Sequence, residues 1–557
     1  MLRRCKNRLI RRDLRYEYKI AQDNFDKMFR RYKRMYQREK SMVIETVSNK
    51  DPNVFWDYIK RLGPRRKECI PMEMYNDDGT INCNKHEVMK YWKDSFDDLF
   101  NRGVGMKRDK DFDRHVSDYM VMMENNMVDP LYQTDVKLNK NITEDEVVKI
   151  IQKLKNKKAM GIDMVPNEII KCKVIVPMLV TLFNLCFDTG IVPQQWYQSI
   201  VHPIHKSSET DPRIPTHYRG ISLVSCVYKV FTAVLGHRVS YFYEDKDILV
   251  EEQGGFRKGR SCVDQAFILH GLAKNAISKN DDLYACFIDL RKAFDCVCRD
   301  MLMYKLLVTG INGKMYFILK SLYDGQKTQS SIRVNNQLTD WFLTGLGVKQ
   351  EDSLSPVLFL MFVNDLAVEL KNMNIGCKLG DKKLPILLYA DDIVLLSNDT
   401  DELQLMLNHV YEWCNKWLMS VNLDKTNIMH FRKNEKARNM YEFKYGDQSI
   451  EYTDCYKYLG LYFDEHLNMD TNEDKLSAAG KKALGSIINK LRMNENMTYE
   501  CFSKCVTSCV YPVVEYGSEI TGIYKNVKLD RVIDSAARAY LGVHRFCPIV
   551  SMYKDLG

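Results

Sequence analysis

The chain has 557 residues, of which 45% are hydrophobic and 28% are charged, and it carries a net charge of +9. This is ordinary globular composition, sufficient for a sizeable core, and the length predicts several domains. The longest apolar stretches, such as residues 357–363, fall far short of the about 20 residues that a membrane span needs, and the N-terminus lacks the apolar run of a signal peptide. We therefore expect an intracellular protein without a membrane partner.

The positive charge is concentrated in one segment. Residues 1–40 contain 15 lysines and arginines against 5 acids, so the rest of the chain is nearly neutral. The segment predicts a helical region over residues 1–62 that ends at Gly63-Pro64. Such a helix could follow a phosphate backbone, or it could be a solvated helix that merely covers a neighbour. The aromatic residues interleaved with the cations are Tyr16, Tyr18, Phe25, Phe29, Tyr32 and Tyr36.

The 17 cysteines are scattered, as is typical of reduced thiols in an intracellular chain. Cys501, Cys505 and Cys509 recur at every fourth residue. This spacing favours one face of a helix over a zinc site, because no histidine or fourth cysteine completes a ligand set nearby. Cys83 and His86 also lie close in sequence without further partners, which favours chance over a metal site.

Helical patterns dominate the next part of the chain. Thr143 and Glu146 form a capping-box pattern, and helical spacing continues through residues 147–158. A second apolar helix is predicted over residues 178–187, stopped by Gly190 and Pro193.

Short β-type runs alternate with helices from about residue 197 to 464. Residues 284–290 and 386–396 have the apolar character of strands, the second interrupted only by two acids. Ser355-Pro356 predicts an N-cap followed by proline at the first helical position, and the helix after it is apolar nearly all round and therefore buried. The pattern predicts an α+β domain with helices packed on one face of an antiparallel sheet.

The acidic pair in the second of these strands indicates chemistry. Asp391 and Asp392 lie between apolar strand halves, where a carboxylate is costly unless a cation neutralises it. Asp289 ends another apolar strand. If the two strands are neighbours, these acids could hold two Mg²⁺ ions about 4 Å apart, an arrangement suited to nucleotidyl transfer. A lone Asp-Asp is more often a solvated turn, so the interpretation depends on the ordered set of motifs around it.

Short motifs follow one another along the chain. The first runs from Phe55-Trp56 through Ile70-Pro71. The others cover residues 157–166, 218–223, 255–261, 287–295, 347–350, 354–356, 364–366, 389–392, 422–426 and 458–461. In this order they resemble LINE-type (non-LTR retrotransposon) reverse transcriptases over nearly the whole chain. The alanine between Tyr389 and Asp391 favours a reverse transcriptase over a viral RNA polymerase. A group II intron maturase or telomerase-type enzyme is a more distant alternative, because it shares the acidic box but not the first and last motifs.

The resemblance implies a right-hand polymerase with fingers, palm and thumb, an antiparallel palm sheet and a helical N-terminal region. It divides the chain into a basic helical linker (1–62), a helical extension (63–190), fingers and palm (191–465) and a truncated thumb (466–557). It also implies an RNA-directed DNA polymerase that uses Mg²⁺ or Mn²⁺. The implied partners are an RNA template, a DNA primer and dNTPs, and the implied location is the nucleus and cytoplasm.

The resemblance further implies roles for individual residues. Asp289 and Asp391 would be metal ligands, with Asp392 completing the acidic cluster. Lys425 would approach the pyrophosphate and could donate a proton to it, with a surface lysine as the alternative. Phe294 would be a steric gate that crowds a ribose 2′-hydroxyl, with a core phenylalanine as the alternative.

Other implied roles concern substrate and primer. Gln350 would lie near the incoming nucleotide, Arg257 and Arg260 would contact phosphates from the fingers, and Arg219 would contact template or triphosphate. The primer-grip hairpin would consist of Tyr458, Leu459, Gly460 and Leu461.

One motif departs from the family pattern. Similar proteins have glycine after the glutamine that is Gln350 here, whereas this chain has Glu351, and Asp352 and Ser353 also depart from the usual residues. Glycine permits unusual dihedrals and close approach, and glutamate adds a Cβ and a charge near a triphosphate. We therefore expect the fold to survive with lowered activity, and a catalytically impaired RNA-binding remnant is the alternative function.

The ends of the chain also differ from the family. It opens inside the linker without an endonuclease and stops at Leu556-Gly557 without a zinc knuckle. We expect a fragment of a longer element protein.

Overall fold

A computed structural model describes residues 8–48, 51–61, 69–76, 78–101, 109–129, 131–206, 210–493, 497–524 and 526–556. The predicted stop signal Gly63-Pro64 and the last residue lie outside these ranges. The chain divides into two compact units. The terminal unit comprises Met1–Glu68, Leu461–Phe463 and Asn468–Gly557, and the central unit comprises Cys69–Gly460 and Asp464–Leu467.

Within the described residues the α-helices are α1 (Arg8–Ser48), α2 (Pro52–Arg61), α3 (Lys85–Asn101), α4 (Lys110–Val128), α5 (Val136–Asn139), α6 (Glu144–Lys153), α7 (Asn167–Ile170), α8 (Val176–Thr189), α9 (Cys226–Asp245), α10 (Cys262–Lys279), α11 (Arg299–Val308), α12 (Gly313–Leu322), α13 (Ser355–Asn372), α14 (Thr400–Trp417), α15 (Asp470–Met493), α16 (Tyr499–Cys509), α17 (Tyr511–Val514), α18 (Ser518–Thr521), α19 (Val527–Leu541) and α20 (Ile549–Leu556). Short 3-10 helices cover Lys173–Ile175, Gln194–Tyr197 and Pro215–His217.

The described strands are β1 (Met74–Tyr75), β2 (Ile81–Asn82), β3 (Gln198–His205), β4 (Tyr218–Leu223), β5 (Leu283–Asp289), β6 (Gln329–Val334), β7 (Gln337–Leu338), β8 (Phe342–Leu343), β9 (Cys377–Leu379), β10 (Lys382–Leu384), β11 (Ile386–Tyr389), β12 (Asp392–Ser397), β13 (Asn427–Phe431), β14 (Lys444–Tyr445), β15 (Gln448–Ser449), β16 (Glu451–Tyr452), β17 (Cys455–Tyr458) and β18 (Leu461–Asp464). No described helix is both long enough and apolar enough to span a bilayer.

The terminal unit is helical. Phe55 and Ile59 of α2 are buried with apolar residues of the C-terminal helices, among them Phe502 and Val532. The predicted helical region over residues 1–62 is thus α1 followed by α2. The N-terminal helices share one unit with the region predicted as thumb, and the four-part division of the chain stays a prediction.

The three evenly spaced cysteines lie on α16, which confirms the helical interpretation of their spacing. Cys501 and Cys505 are buried and Cys509 is exposed.

The main sheet of the central unit has the strand order β11-β12-β5-β13-β16. Its neighbours are antiparallel except for the parallel pair β13–β16. The α+β class and the antiparallel palm sheet are confirmed. All residues of β5 except Asp289 are buried, and because successive side chains point to opposite faces, both faces are covered. The continuous apolar run of β5 is typical of a strand buried on both sides. The predicted layer of helices therefore accounts for one of the two covered faces.

A second sheet has the order β4-β3-β6-β7, with β8 also paired to β6. It presents Arg219 on β4, and the loop Lys349–Asp352 is tied to this strand because the Ser222 amide donates to the Gln350 carbonyl at 3.3 Å. The second sheet thus helps to set the position of residues that face the cleft described below.

Helix ends follow local chemistry with some corrections. The capping box of Thr143 and Glu146 is present, but α6 ends at Lys153 rather than Lys158. Gly190 caps α8 with φ of 67°, as predicted. Ser355 is the first residue of α13 rather than its N-cap, because its hydroxyl donates to the Lys349 carbonyl at 2.6 Å.

Candidate active site

The predicted acidic residues meet at one end of the main sheet. Asp392 lies directly opposite Asp289 in the antiparallel pairing of β12 with β5. Directly opposed residues share a face of the sheet, with Cβ atoms about 4.5–5.5 Å apart. Asp391 lies in the turn between β11 and β12. The expectation that the two acid-bearing strands are neighbours is met.

The electrostatics of these carboxylates are unfavourable without a counter-charge. Burial raises the pKa of Asp391, and the negative charge of Asp289 raises it further. Asp392 is an exposed residue, but desolvation by the surrounding protein and the negative charges of Asp391 and Asp289 raise its pKa to about 6. Within the described part of the chain, no lysine or arginine forms an ion pair with any of the three. A cation from outside the chain would relieve this repulsion.

Asp289 is held in place by the segment before β13. The Asn422 side chain donates to Asp289 Oδ2 at 3.0 Å, and the Asn422 amide donates to the Asp289 carbonyl at 2.8 Å. The Asp289 amide in turn donates to Thr426 Oγ1 at 3.3 Å. One carboxylate oxygen is therefore oriented while the other keeps its lone pairs available.

A cleft of about 730 Å³ opens beside the acids. Asp289 and Asp391 lie in its wall together with three aromatic residues, Tyr218, Phe256 and Phe294. The cations that line it are Lys206, Arg219, Arg291, Lys292 and Lys425. Burial lowers the pKa of Lys206, and the positive charges of Lys292 and Lys425 lower it further, whereas the charge of Asp295 opposes the shift. A cleft with carboxylates and clustered cations suits a metal-bound polyphosphate.

The donor set fits a hard divalent cation in its chemistry, because carboxylate oxygens are the ligands that such ions prefer. Within the described ranges, no group of three or more His, Cys, Asp or Glu side chains is arranged so that it could hold a metal ion. The assignment of Asp289, Asp391 and Asp392 as metal ligands stays a prediction.

Comparison with known proteins agrees with this geometry. The family model described as "Reverse transcriptase (RNA-dependent DNA polymerase)" matches residues 204–463, which include all three acids. The chain is 28% identical over 431 residues to a protein named "Probable RNA-directed DNA polymerase from transposon BS" of Drosophila melanogaster, covering 75% of this chain and 46% of that one. It is 25% identical over 402 residues to "RNA-directed DNA polymerase from mobile element jockey" of Drosophila funebris, covering 70% and 42%.

Residues 204–463 form a reverse transcriptase domain that is similar to those of LINE-type elements. It spans less than half the length of these two relatives. Among solved structures, telomerase from Candida albicans in complex with a fragment of telomeric RNA matches with 11% identity and a TM-score of 0.35, covering 66% of this chain and 65% of that one. A likeness at this level adds no weight to the assignment.

Two predicted substrate residues of the reverse transcriptase domain lie in the cleft wall with defined contacts. Phe294 stacks on Phe359 with ring centroids 4.4 Å apart and meets Phe256 edge-on at 6.4 Å. Gln350 donates to Asp295 Oδ1 at 2.7 Å. Asp295 is buried, which raises its pKa to about 6 although Lys292 opposes the shift.

Arg219 and Lys425 are exposed side chains in the cleft wall of the reverse transcriptase domain, where a phosphate could reach them. Arg257 and Arg260 are not among the residues that line it. The Arg257 side chain is only 6% exposed, makes a two-pronged ion pair with Glu244 at 2.7 and 2.8 Å, and also donates to the Val250 carbonyl. Arg260 pairs with Glu251. All three guanidinium nitrogens of Arg257 are engaged within the protein, so a phosphate role for it would require these bonds to open. Arg260 is exposed and keeps further donors beyond its pair with Glu251.

The predicted primer-grip residues of the reverse transcriptase domain lie where β17 ends and β18 begins. Tyr458 and Leu461 are buried at the two strand ends. Leu459 and Gly460 between them have φ of 46° and 91°, which is the backbone of a tight turn. The primer-grip role of these residues stays a prediction.

Sequence reasoning missed several cleft residues of the reverse transcriptase domain. Lys206 and Lys292 are cations of the cleft wall, and Phe256 is an exposed aromatic ring beside Phe294. Lys206 directly follows β3 and Lys292 lies three residues after Asp289. Their proximity to the predicted motifs was the available signal.

Glu351 occupies the position where similar proteins have glycine, and its φ is 70°. This left-handed conformation costs a residue with a Cβ roughly 1–2 kcal/mol and glycine nothing. The side chain is exposed at the cleft. The predicted conflict with unusual dihedrals is therefore present in the backbone.

Proposed function

We propose that this chain is an RNA-directed DNA polymerase that adds dNTPs to the 3′-hydroxyl of a DNA primer on an RNA template. The observation that carries the proposal is the register of β12 against β5, which brings Asp392 opposite Asp289 beside a cation-lined cleft. The reverse transcriptase domain match supports it.

The metal proposed for this site is Mg²⁺, with Mn²⁺ as a substitute, because hard carboxylate oxygens suit both. Such ions would lower the pKa of the primer hydroxyl and neutralise charge on the triphosphate and the leaving pyrophosphate. Asp289 and Asp391 would hold them, and Asn422 would keep Asp289 turned toward the cleft through the hydrogen bond described above.

The remaining side chains would bind and select the nucleotide. Arg219, Lys206 and Lys425 line the cleft at positions from which they could contact phosphates, and Lys425 would supply a proton to the departing pyrophosphate. Phe294 is backed by Phe359, so its ring cannot retreat easily from a ribose 2′-hydroxyl. This arrangement would favour dNTPs over ribonucleotides.

We further propose that α1 contacts nucleic acid. Its aromatic residues are interleaved with arginines and lysines, and three of them, Tyr16, Phe25 and Tyr32, are 62–68% exposed. Aromatic rings that stack on bases, combined with cations along a backbone, are typical of single-strand binding surfaces. A template drawn from element RNA and a primer in genomic DNA would place the protein in both cytoplasm and nucleus.

The proposal is tested by primer extension. Purified chain is given a primed RNA template, dNTPs and Mg²⁺, with Asp391→Asn as the inactive control and Asp381→Asn, an exposed turn aspartate outside the cleft, as the matched control. We expect extension by wild type and Asp381→Asn and none by Asp391→Asn. Absence of extension by the wild type, or equal extension by Asp391→Asn, would remove polymerase catalysis from the account.

A further inference from the structure

The turn that carries Asp391 depends on one buried side chain from a distant loop. The Gln253 Oε1 atom accepts hydrogen bonds from the Ala390 amide at 3.0 Å and from the Gly255 amide at 2.8 Å. Gln253 is only 1% exposed. Ala390 precedes Asp391 and has a φ of 58°, a conformation that needs support from its surroundings.

The backbone around Gln253 is joined to the same hairpin. The Gly254 amide donates to the Leu388 carbonyl at 2.8 Å, and the Leu388 amide donates to the Glu252 carbonyl at 3.0 Å. A Cβ on Gly255 would lie 2.4 Å from the Ala390 nitrogen, so only glycine permits this approach. The loop therefore lies against β11 through an isolated parallel bridge between Gln253 and Leu388, next to the amide that precedes the catalytic acid.

We infer that Gln253 is a positioning residue, which fixes the left-handed turn at Ala390 and thereby aims the Asp391 carboxylate into the cleft. The inference rests on the proposed function for its catalytic consequence. Its structural part, the immobilisation of the turn, stands on the two hydrogen bonds alone.

The use of the amide group supports this role over simple space filling. One oxygen serves two amide donors, while Gln253 Nε2 is buried and has no hydrogen-bond partner in the described structure. A buried donor without a partner is unfavourable. An acceptor at this position is therefore the feature that the turn requires, and the unpartnered donor is its cost.

The test compares variants of the full chain by amide hydrogen exchange and by single-nucleotide incorporation. Gln253→Met keeps the volume and removes the acceptor, and we expect exchange at the Ala390 amide to accelerate about 10-fold or more. We expect kcat to fall about 10- to 100-fold while the KM for dNTP changes less than about threefold, because orientation and not binding is lost. Gln253→Glu keeps an acceptor oxygen and should retain slow exchange.

The matched control is Gln265→Met. Gln265 is a second buried glutamine that donates to the Glu252 carbonyl of the same loop at 3.1 Å and does not contact Ala390. We expect it to leave exchange at Ala390 and kcat near wild type. Unchanged exchange at Ala390 in Gln253→Met, equal acceleration in Gln253→Glu, or an equal loss in Gln265→Met would overturn the inference. If the wild type extends no primer, the exchange measurements still decide the positioning role separately from the polymerase proposal.

Discussion

Several turns at the cleft contain a non-glycine residue at positive φ, and two of them, at Ala390 and at Glu351, stabilise that residue in different ways. In the acid turn, Tyr389–Asp392, this residue is Ala390, a small buried side chain whose amide is bound by Gln253. In the loop turn, Lys349–Asp352, it is Glu351, a large exposed side chain. In the acid turn, a hydrogen bond to a distant loop supports the positive-φ residue itself. In the loop turn, the positive-φ residue is exposed, and the buried residues on either side of it, Lys349 and Asp352, hold the turn in place.

The two ends of the loop turn are anchored by buried charges. Lys349 donates to the Trp196 carbonyl at 2.9 Å and lies 4.4 Å from the centre of the Tyr228 ring. Asp352 accepts from Thr232 Oγ1 at 2.5 Å. Burial lowers the pKa of Lys349 to about 7, and the charge of Asp352 opposes that shift. The comparison teaches that the acid turn is fixed by neutral hydrogen bonds, whereas the loop turn is held by two buried ionisable side chains that bond to separate partners.

The largest effect is expected on the acid side. Asn422→Ala removes the donor that orients Asp289, and we expect primer extension to fall about 10- to 100-fold, as is common when the support of a metal ligand is lost. The matched control is Asn398→Ala, which removes a similar side-chain donor to the Asp282 carbonyl at the other end of the sheet. An equal loss of activity in both variants would mean that the effect is one of general stability.

The next effect tests the charged anchor of the loop turn. Asp352→Ala removes an acceptor of the buried Thr232 and Tyr228 hydroxyl groups and the negative charge that raises the pKa of Lys349. We expect the free energy of unfolding to fall by about 2–3 kcal/mol, as measured by urea denaturation. Asp352→Asn retains hydrogen-bonding capacity and should lose less. A change below about 1 kcal/mol in Asp352→Ala would show that Asp352 does not hold the turn.

A third effect depends on pH. The pKa of Asp295, which accepts from Gln350, is raised to about 6, so the folded protein binds this proton more tightly than the unfolded chain does. Its ionisation therefore costs stability as pH rises from about 4 to about 7, by about 2–3 kcal/mol at most. Asp295→Asn should gain stability over wild type across this range, and the gain should grow as pH rises.

The control for the pH effect is Asp340→Asn, at an exposed aspartate of the same unit. Its difference from wild type should stay constant with pH. A constant difference in Asp295→Asn as well would contradict the raised pKa.

The smallest effect concerns Glu351. Glu351→Gly should stabilise the protein by about 1 kcal/mol, because the relief of left-handed strain exceeds the added entropy of the unfolded chain. It should also raise the rate of primer extension, since a negative charge near the triphosphate is removed. Glu351→Ala separates the two causes, because it removes the charge and keeps the strain. Equal rates of primer extension by Glu351→Gly and wild type would contradict the prediction that the negative charge of Glu351 slows the reaction.

The sequence was most informative where local chemistry decides structure. The capping box of Thr143, the cap at Gly190 and the apolar strand around Asp289 could be recognised from neighbouring residues alone. The proximity of Asp289 to Asp391 and Asp392 could be predicted from the motif order together with the resemblance, because carboxylates next to buried apolar strands are costly unless they share a cation.

The rest depended on partners far apart in sequence. Arg257 has the chemistry of a phosphate ligand, but Glu244 on α9 binds its guanidinium. Gln253 resembles any polar loop residue until its oxygen is found beside the Ala390 amide. Lys349 and Asp352 look like exposed loop charges, and only the packing of α9 around them shows that they are buried. Such pairings are set by tertiary packing, which periodicity and composition do not encode.

The pairing of Asp392 with Asp289 has a consequence for how this gene can change over time. Side chains of a strand alternate between faces, so removal or addition of one codon within β5 or β12 would turn an aspartate away from its partner. Many amino-acid replacements along these strands would preserve the arrangement, whereas a single in-frame indel would abolish it. A deep mutational scan that includes indels should therefore find these two strands far less tolerant of length changes than of conservative substitution.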